Sequence, residues 1–409
     1  MLVYEDKKQK FLNFLKAGFN PFKKFVATGE IKEDLGVVET RKDLLNSIID
    51  KINGSQNFIL PIIGKVGTGK THLFWALKKS LHYYNTIYIS LENVYRKFYY
   101  NLYSEFIEEM GVEVLRSIIS ELCQGWGSLE RKFGFFHVAD INKVRKNAFK
   151  QQSPEFEDKI ALNDVINVIT AHQLDPYKNV EAENWLLGGL MDFKDLSHLN
   201  LLYDLRKKSY AFTMLKFLIE NSKLGSVLFI DDFENIISLM KPEEGTEEIF
   251  DPSYLYGSEI NTPESVAARK SLNKILKLIK IKGLRIIITL KSFAALEEIK
   301  SIIREKDESL VSVFSDAVVL SEFEESDLFQ FYRKSIKKFL KNVNFLEFYE
   351  DIPDTYYPLN QKVLKNIFNN TNGNPREIIK ILIKIFNDII YSDQELETIL
   401  EKYESNEIL

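Results

Sequence analysis

A single cysteine, Cys123, stands among 409 residues. One thiol excludes an internal disulfide framework, suits a reducing compartment, and reads as a small buried hydrophobe. Metal-ligand spacing is missing too. The five histidines (His72, His82, His137, His172, His198) are scattered, which argues against a zinc site. No apolar run approaches the length that crosses a bilayer, and the charged stretch Met1 to Lys10 lacks the apolar core of a signal peptide. There is no repeat and no low-complexity tract. Nor is there an excess of basic charge: the formal net charge of −5 argues against a chain that coats nucleic acid nonspecifically, leaving only local basic faces. The expectation is a soluble, cytoplasmic protein with no membrane partner, long enough for two or three domains. With 19 Tyr and 30 Phe, its core should be rich in aromatics.

What is present centres on Gly64-Lys65-Val66-Gly67-Thr68-Gly69-Lys70-Thr71, which satisfies the phosphate-loop pattern G-x-x-x-x-G-K-[ST] in full. An apolar run, Phe58 to Ile63, precedes it at strand length. Apolar residues at helical spacing follow it, from His72 to Leu81. Strand, glycine-rich turn and helix form the context the motif requires; the alternative is a glycine turn that binds nothing. The glycines let backbone N–H groups line a concave anion site, and the helix N-terminus adds partial positive charge. Lys70 is placed to reach the β- and γ-phosphates of a nucleoside triphosphate, and the Thr71 hydroxyl to ligate Mg²⁺, with His72 next to it.

Upstream, helical segments break at Gly18-Phe19-Asn20-Pro21. Leu35 to Arg41 then leads into an amphipathic helix over Lys42 to Ile52. This apolar turn, with Val37 and Val38, is either a seat for the nucleotide base or ordinary packing. Downstream, Thr86 to Leu91 reads as a second strand. A long, mostly helical stretch follows, from Glu92 to about Leu224, which signals an inserted helical subdomain. Its Lys143, Arg145, Lys146 and Lys150 either meet phosphate or form a solvated helix face, the commoner meaning of such a run.

The second decisive stretch is Val227-Leu228-Phe229-Ile230-Asp231-Asp232-Phe233-Glu234. Four apolar residues ending in acid describe a buried strand whose carboxylates emerge at its C-terminal edge, where open parallel sheets bind ligands. Asp231 is placed to hold Mg²⁺, and Asp232 or Glu234 to orient the attacking water. An acidic stretch, Glu243 to Asp251, reads as loop. A helix over Pro263 to Lys280 carries Lys270, Lys274 and Lys277 along one face. Strands at Leu284 to Thr289 and Asp316 to Leu320 complete five, with Thr289, Lys291 and Ser292 at the tip of the fourth. From about Glu322 the chain is helical, with a basic stripe of Arg333, Lys334, Lys337, Lys338 and Lys341. In Gly373-Asn374-Pro375-Arg376 the proline sits at a favoured first-turn position and presents Arg376 at a helix start.

Together these motifs resemble an AAA+ ATPase of the origin-initiator and STAND-like branch. In narrower patterns (Leu15-Lys16-Ala17-Gly18, Trp185-Leu186-Leu187-Gly188, the acid-tipped strand, Leu284-Arg285) the chain is similar to ATP-binding proteins associated with BREX-type phage defence. The resemblance implies an α/β fold: a five-stranded parallel phosphate-loop sheet with a long helical insertion (92–224) and a C-terminal helical lid. The expected division is 1–52 as a helical segment packing on the core, 53–321 as the nucleotide-binding core, and 322–409 as the lid. It further implies Walker A at Gly64, Gly69, Lys70 and Thr71, and Walker B at Asp231 and Asp232. Sensor 1 would be Thr289 or Ser292, and sensor 2 Arg376.

Three departures bear on mechanism. Asp231-Asp232 replaces the commoner Asp-Glu, which suits a slow switch. No arginine immediately precedes the fifth strand; Arg304 is the nearest candidate for a finger acting in trans, or else an exposed helix residue. The chain ends soon after the lid, with no room for a winged-helix domain. The expected activity is slow ATP hydrolysis by a switch that self-assembles, as a ring or dimer, and acts on DNA or a DNA-processing partner. The alternative is a STAND-type module that recruits a protein without nucleic acid. A metabolic kinase would need an acceptor site that the sequence does not offer.

Overall fold

The computed structural model describes residues 2–26, 38–54, 57–91, 97–132, 135–138, 140–236, 263–346 and 355–405. In chain order the elements begin with α1 (Leu2–Lys16), α2 (Glu39–Gly54), β1 (Ile59–Ile63), α3 (Lys70–Ser80) and β2 (Tyr84–Ser90). There follow α4 (Phe98–Met110), α5 (Val112–Gly125), β3 (Leu129–Lys132), β4 (Phe135–Val138), α6 (Ile141–Gln152) and α7 (Lys159–Leu174). Next come α8 (Asn179–Leu186), α9 (Phe193–His198), α10 (Lys208–Asn221), β5 (Gly225–Asp231), α11 (Pro263–Leu278) and β6 (Leu284–Leu290). The chain continues through α12 (Phe293–Arg304), β7 (Val318–Val319), α13 (Glu325–Asn342), α14 (Gln361–Thr371), α15 (Pro375–Tyr391) and α16 (Leu396–Glu404).

The protein is α/β. Five parallel strands form one sheet in the order β2-β5-β6-β1-β7. Continuous apolar runs are what parallel strands covered on both faces require, and β1 and β5 comply: every residue of β1 is buried, as is β5 after its first. Because the strands are parallel, their C-terminal ends share one edge, the edge at which open α/β sheets bind ligands. A two-stranded antiparallel ribbon, β3 with β4, lies inside the stretch expected to be mostly helical.

Packing divides the chain into two compact units. One comprises 1–54, 62–81 and 318–409; the other comprises 55–61 and 82–317. In the second unit α4 packs on α10, and α7 on α6, α8 and α10. Their interior is built on large rings. Tyr103 donates to the Leu186 carbonyl, Trp185 Nε1 donates to Tyr203 O at 3.1 Å, and Tyr210 donates to the buried Asp164 at 2.6 Å. Cys123 is buried there, and burial pushes its thiol up to about 12, as befits a hydrophobe. Arg145 is spent internally, on Thr170 Oγ1 at 2.9 Å and the Asn167 carbonyl at 3.4 Å, so it does not join a free basic face.

In the first unit, α1 differs from expectation. Phe11, Leu15, Phe22 and Phe25 are buried in one cluster with Tyr332 and Ile336 of α13, Leu364 and Ile367 of α14, and Phe386 of α15. An amphipathic helix buries its apolar face against whichever surface matches it, and here that surface is the C-terminal helices. Helix α2 instead packs on α3. A capping box, with Glu324 and Asp327 each accepting the other's backbone N–H, starts α13.

Phe22 has no exposed surface and lies edge-on to Phe386 at 5.1 Å, with Tyr332 stacked at 5.9 Å. Phe22→Ala should therefore cost about 3–5 kcal/mol of stability, read as a lowered midpoint in thermal or urea unfolding. A midpoint equal to that of the parent would show that this ring is not part of the core.

Candidate functional site

Each unit gathers its own set of polar residues. In the first, β1 ends at Ile63 and the chain turns through Gly64–Gly69 before α3 begins at Lys70. Lys70 is only 8 % exposed. Its ammonium donates to the Gly64 carbonyl at 2.7 Å and to the Lys65 carbonyl at 3.3 Å, so the loop curls around its own cation. Thr68 closes the turn, its hydroxyl and backbone N–H both donating to the Lys65 carbonyl. Thr71 is exposed at the start of α3, and Lys65 and Val66 are exposed on the loop. The His72 ring turns toward the 3-10 turn at Lys23–Val26, bonding to the Phe25 backbone, and burial holds its pKa below the usual histidine value.

The outward side of this loop is taken by the start of α15. Asn374 caps that helix, its Oδ1 accepting from the N–H groups of Arg376 (3.1 Å) and Glu377 (3.4 Å). Its Nδ2 donates to the Val66 carbonyl at 2.9 Å, and the Arg376 N–H also donates to the Gly67 carbonyl at 3.2 Å. Gly67 makes this approach possible. Its φ is +87°, and a Cβ there would stand 2.5 Å from Asn374 Oδ1 and 2.9 Å from Arg376 Cβ. The Arg376 side chain is exposed and makes no ion pair among the described residues.

Two further contacts brace the loop. Lys65 pairs with Glu322 at 2.8 Å, and that hydrogen bond holds the Glu322 carboxyl below the usual carboxylate range. Arg41, in the first turn of α2, donates to the Ser321 carbonyl and reaches the Thr68 carbonyl at 3.5 Å, the outer limit for such a bond. Its guanidinium lies 5.4 Å over the Phe323 ring. Burial lowers its pKa, an effect opposed by Asp327 and Glu322. Sequence reasoning missed Arg41. The signal available was an arginine at the start of the helix that precedes the loop strand. Val38 is buried in the aromatic cluster of the C-terminal helices, and Val37 lies outside the described residues.

The second unit holds the acid-tipped strand. Asp231 is 2 % exposed, and its carboxylate is held on both sides. Thr289 Oγ1 donates to Oδ1 at 2.5 Å, and the Tyr88 hydroxyl, from β2, donates to Oδ2 at 3.0 Å. Thr289 is fully buried, and its hydroxyl bonds Asp231. Asp232 turns the chain with a left-handed φ of +52°, and its N–H donates to Thr289 Oγ1 and Asp231 Oδ1. Glu234 lies next to Lys291, Oε1 to Nζ 3.3 Å. Ser292 caps α12, its hydroxyl accepting from the Ala295 N–H. Arg304 is exposed in the last turn of α12, about 18 Å along the helix from that cap at 1.5 Å per residue, so within this unit it is remote from the acid tip. Tyr88 was also missed, since only strand pairing brings β2 beside β5.

The donor sets suit a magnesium-bound triphosphate. Mg²⁺ takes one or two protein oxygens and fills its remaining positions with phosphate and water. Within the second unit, Asp231 offers one carboxylate fixed by two hydroxyl donors; among the described residues no group of three or more His, Cys, Asp or Glu gathers as a metal cluster. The acidic stretch Glu243 to Asp251 lies outside the described residues.

Gly67→Ala should strain the backbone by about 1–2 kcal/mol and push Asn374 off the loop. The expected result is a lowered unfolding midpoint with faster amide exchange at Arg376 and Glu377. Unchanged exchange there would contradict the close approach of helix and loop. Comparison of the chain with protein-family models finds no match, and comparison with curated proteins finds none either.

Proposed function

We propose that this chain is an ATP-binding and ATP-hydrolysing switch of the AAA+ kind. The observation that carries the reading is the glycine-rich loop Gly64–Gly69, folded between β1 and α3 around Lys70, with a left-handed φ of +87° at Gly67 and +101° at Gly69. Backbone N–H groups of Gly67 to Thr71 would bind the phosphates, and Lys70 would exchange its loop carbonyls for phosphate oxygens. Thr71 and Asp231 would hold Mg²⁺, whose charge offsets that of the β- and γ-phosphates. Thr289 and Tyr88 would act one step back, orienting the Asp231 carboxylate through their hydroxyls. The parallel sheet supports this division of labour, because β1 and β5 end on the same edge.

Arg376 would sense the nucleotide from the start of α15. Its backbone is already tied to Gly67, so a guanidinium contact to phosphate would couple the C-terminal helices to the loop. We further propose that ATP promotes self-assembly and that the working partner is DNA or a DNA-processing protein. Support for DNA is the basic stripe on α13, where Arg333 and Lys337 are exposed and make no ion pair among the described residues. One observation favours a second reading, a STAND-type module that recruits protein: Asn374 and Arg376 already sit on the loop, as a latch would.

Titration of Mg·ATP into the protein should release heat with about one site per chain, and Lys70→Ala should weaken binding at least ten-fold. No heat with the parent chain would end the nucleotide reading. Sedimentation with a nonhydrolysable ATP analogue separates the two forms. A nucleotide-dependent rise in mass, with salt-sensitive DNA retention, supports the assembling switch. A monomer that copurifies with nucleotide and turns it over very slowly supports the latched module.

A further inference from the structure

A groove of about 520 Å³ runs along α13, within the first unit. It is lined by Ser326, Phe329, Gln330, Arg333, Lys334 and Lys337, none of them acidic, at the three- and four-residue spacing that puts side chains on one helix face. Lys334 has Glu39 at 3.8 Å, whereas Arg333 and Lys337 are exposed and make no ion pair among the described residues. Exposed Lys341 extends the row by one turn. Steps of about 6 Å, at 1.5 Å per residue, match the spacing of successive phosphates on an extended strand. The floor is aromatic. Phe329 is half-buried, packed against the aromatic cluster and 5.3 Å from the Tyr356 ring, and its remaining surface lines the groove. Gln330 is oriented as well: its Oε1 accepts the Glu39 N–H at 2.7 Å, and its NH₂ group has no partner among the described residues.

We infer that this groove binds single-stranded DNA, with one base stacked on Phe329, that base's edge bonded by the Gln330 amide, and the flanking phosphates held by Arg333 and Lys337. The inference rests on the DNA reading above and deepens it by naming the form of DNA and the residues that hold it. Duplex DNA offers the same phosphates, but its base faces are stacked on one another and closed to a ring. A single strand presents both, and grooves that take one combine cations along the backbone with aromatic side chains under the bases. Carboxylates on a peptide would satisfy the cations but leave the ring uncovered. Because the core already holds Phe329 in place, little side-chain freedom is lost when a base lands on it.

Fluorescence polarisation with the full chain tests this, using a labelled oligothymidine and the same strand paired with oligoadenine. The parent should bind the single strand at least about five-fold more tightly than the duplex. Phe329→Leu keeps an apolar side chain without a flat face, and should weaken single-strand binding at least about five-fold with the salt slope unchanged. Lys337→Gln, on the surface, should instead make the slope of log affinity against log salt shallower by about 0.7, the loss of one phosphate contact. Ultraviolet cross-linking of an iodouracil-substituted strand, read by peptide mass, should map to the α13 peptide that carries Phe329. A duplex bound as tightly as the strand, parent affinity in both variants, cross-links confined to other peptides, or displacement of the strand by polyglutamate at matched charge would each overturn the inference. A parent that retains duplex but not the single strand fails only this inference, one that retains neither fails the DNA reading with it, and calorimetry with Mg·ATP reads nucleotide binding apart from both.

Discussion

The contact on which the loop depends is a pair of carbonyls held from outside. The Val66 and Gly67 oxygens are taken by the Asn374 amide and the Arg376 N–H, while the Lys70 ammonium gathers the Gly64 and Lys65 oxygens from within. With carbonyls bound on both sides, the loop's shape is set by donors at the starts of two helices, α3 and α15, rather than by its glycines alone. A glycine-rich turn is otherwise among the most entropically costly segments to order. Fixing it before a ligand arrives moves that cost from binding to folding, the general benefit of preorganisation. The aromatic cluster of α1, α13, α14 and α15 supplies the rigidity, because it anchors the helix that Asn374 caps.

Asp231 shows the same logic in the other unit. A carboxylate at 2 % exposure would be poorly tolerated alone, and two hydroxyls and a backbone N–H donate to it. Hydroxyl donors orient a carboxylate while leaving lone pairs for a metal, which a salt bridge would neutralise. Among the described residues Glu234 stands opposite in character, compensated by the charge of Lys291 and not by hydrogen bonds.

Much of this was legible in the chain. The strands at Ile59–Ile63, Gly225–Asp231 and Leu284–Leu290 announce themselves because buried parallel strands need continuous apolar runs, and few other segments here have them. The helix at Pro375 was legible from Asn-Pro, since a short polar cap followed by proline satisfies the first turn. The ribbon of Leu129–Lys132 with Phe135–Val138 was not, because four residues with three charges lack any strand periodicity. Partners were also hidden. The spacing of Phe11 and Leu15 shows which face of α1 is buried but not what covers it, and nothing local ties Arg41 to Thr68, Tyr88 to Asp231, or Thr289 to a carboxylate 58 positions away.

The central claim is that the phosphate loop and Asp231 serve one nucleotide-bound metal. Electron paramagnetic resonance with Mn²⁺ in place of Mg²⁺ tests it most directly. In the presence of a nonhydrolysable ATP analogue the account predicts one tightly held Mn²⁺ per chain, lost in Asp231→Ala and absent without nucleotide. Manganese held equally well by the Asp231→Ala chain, or bound with no dependence on the analogue, would contradict it.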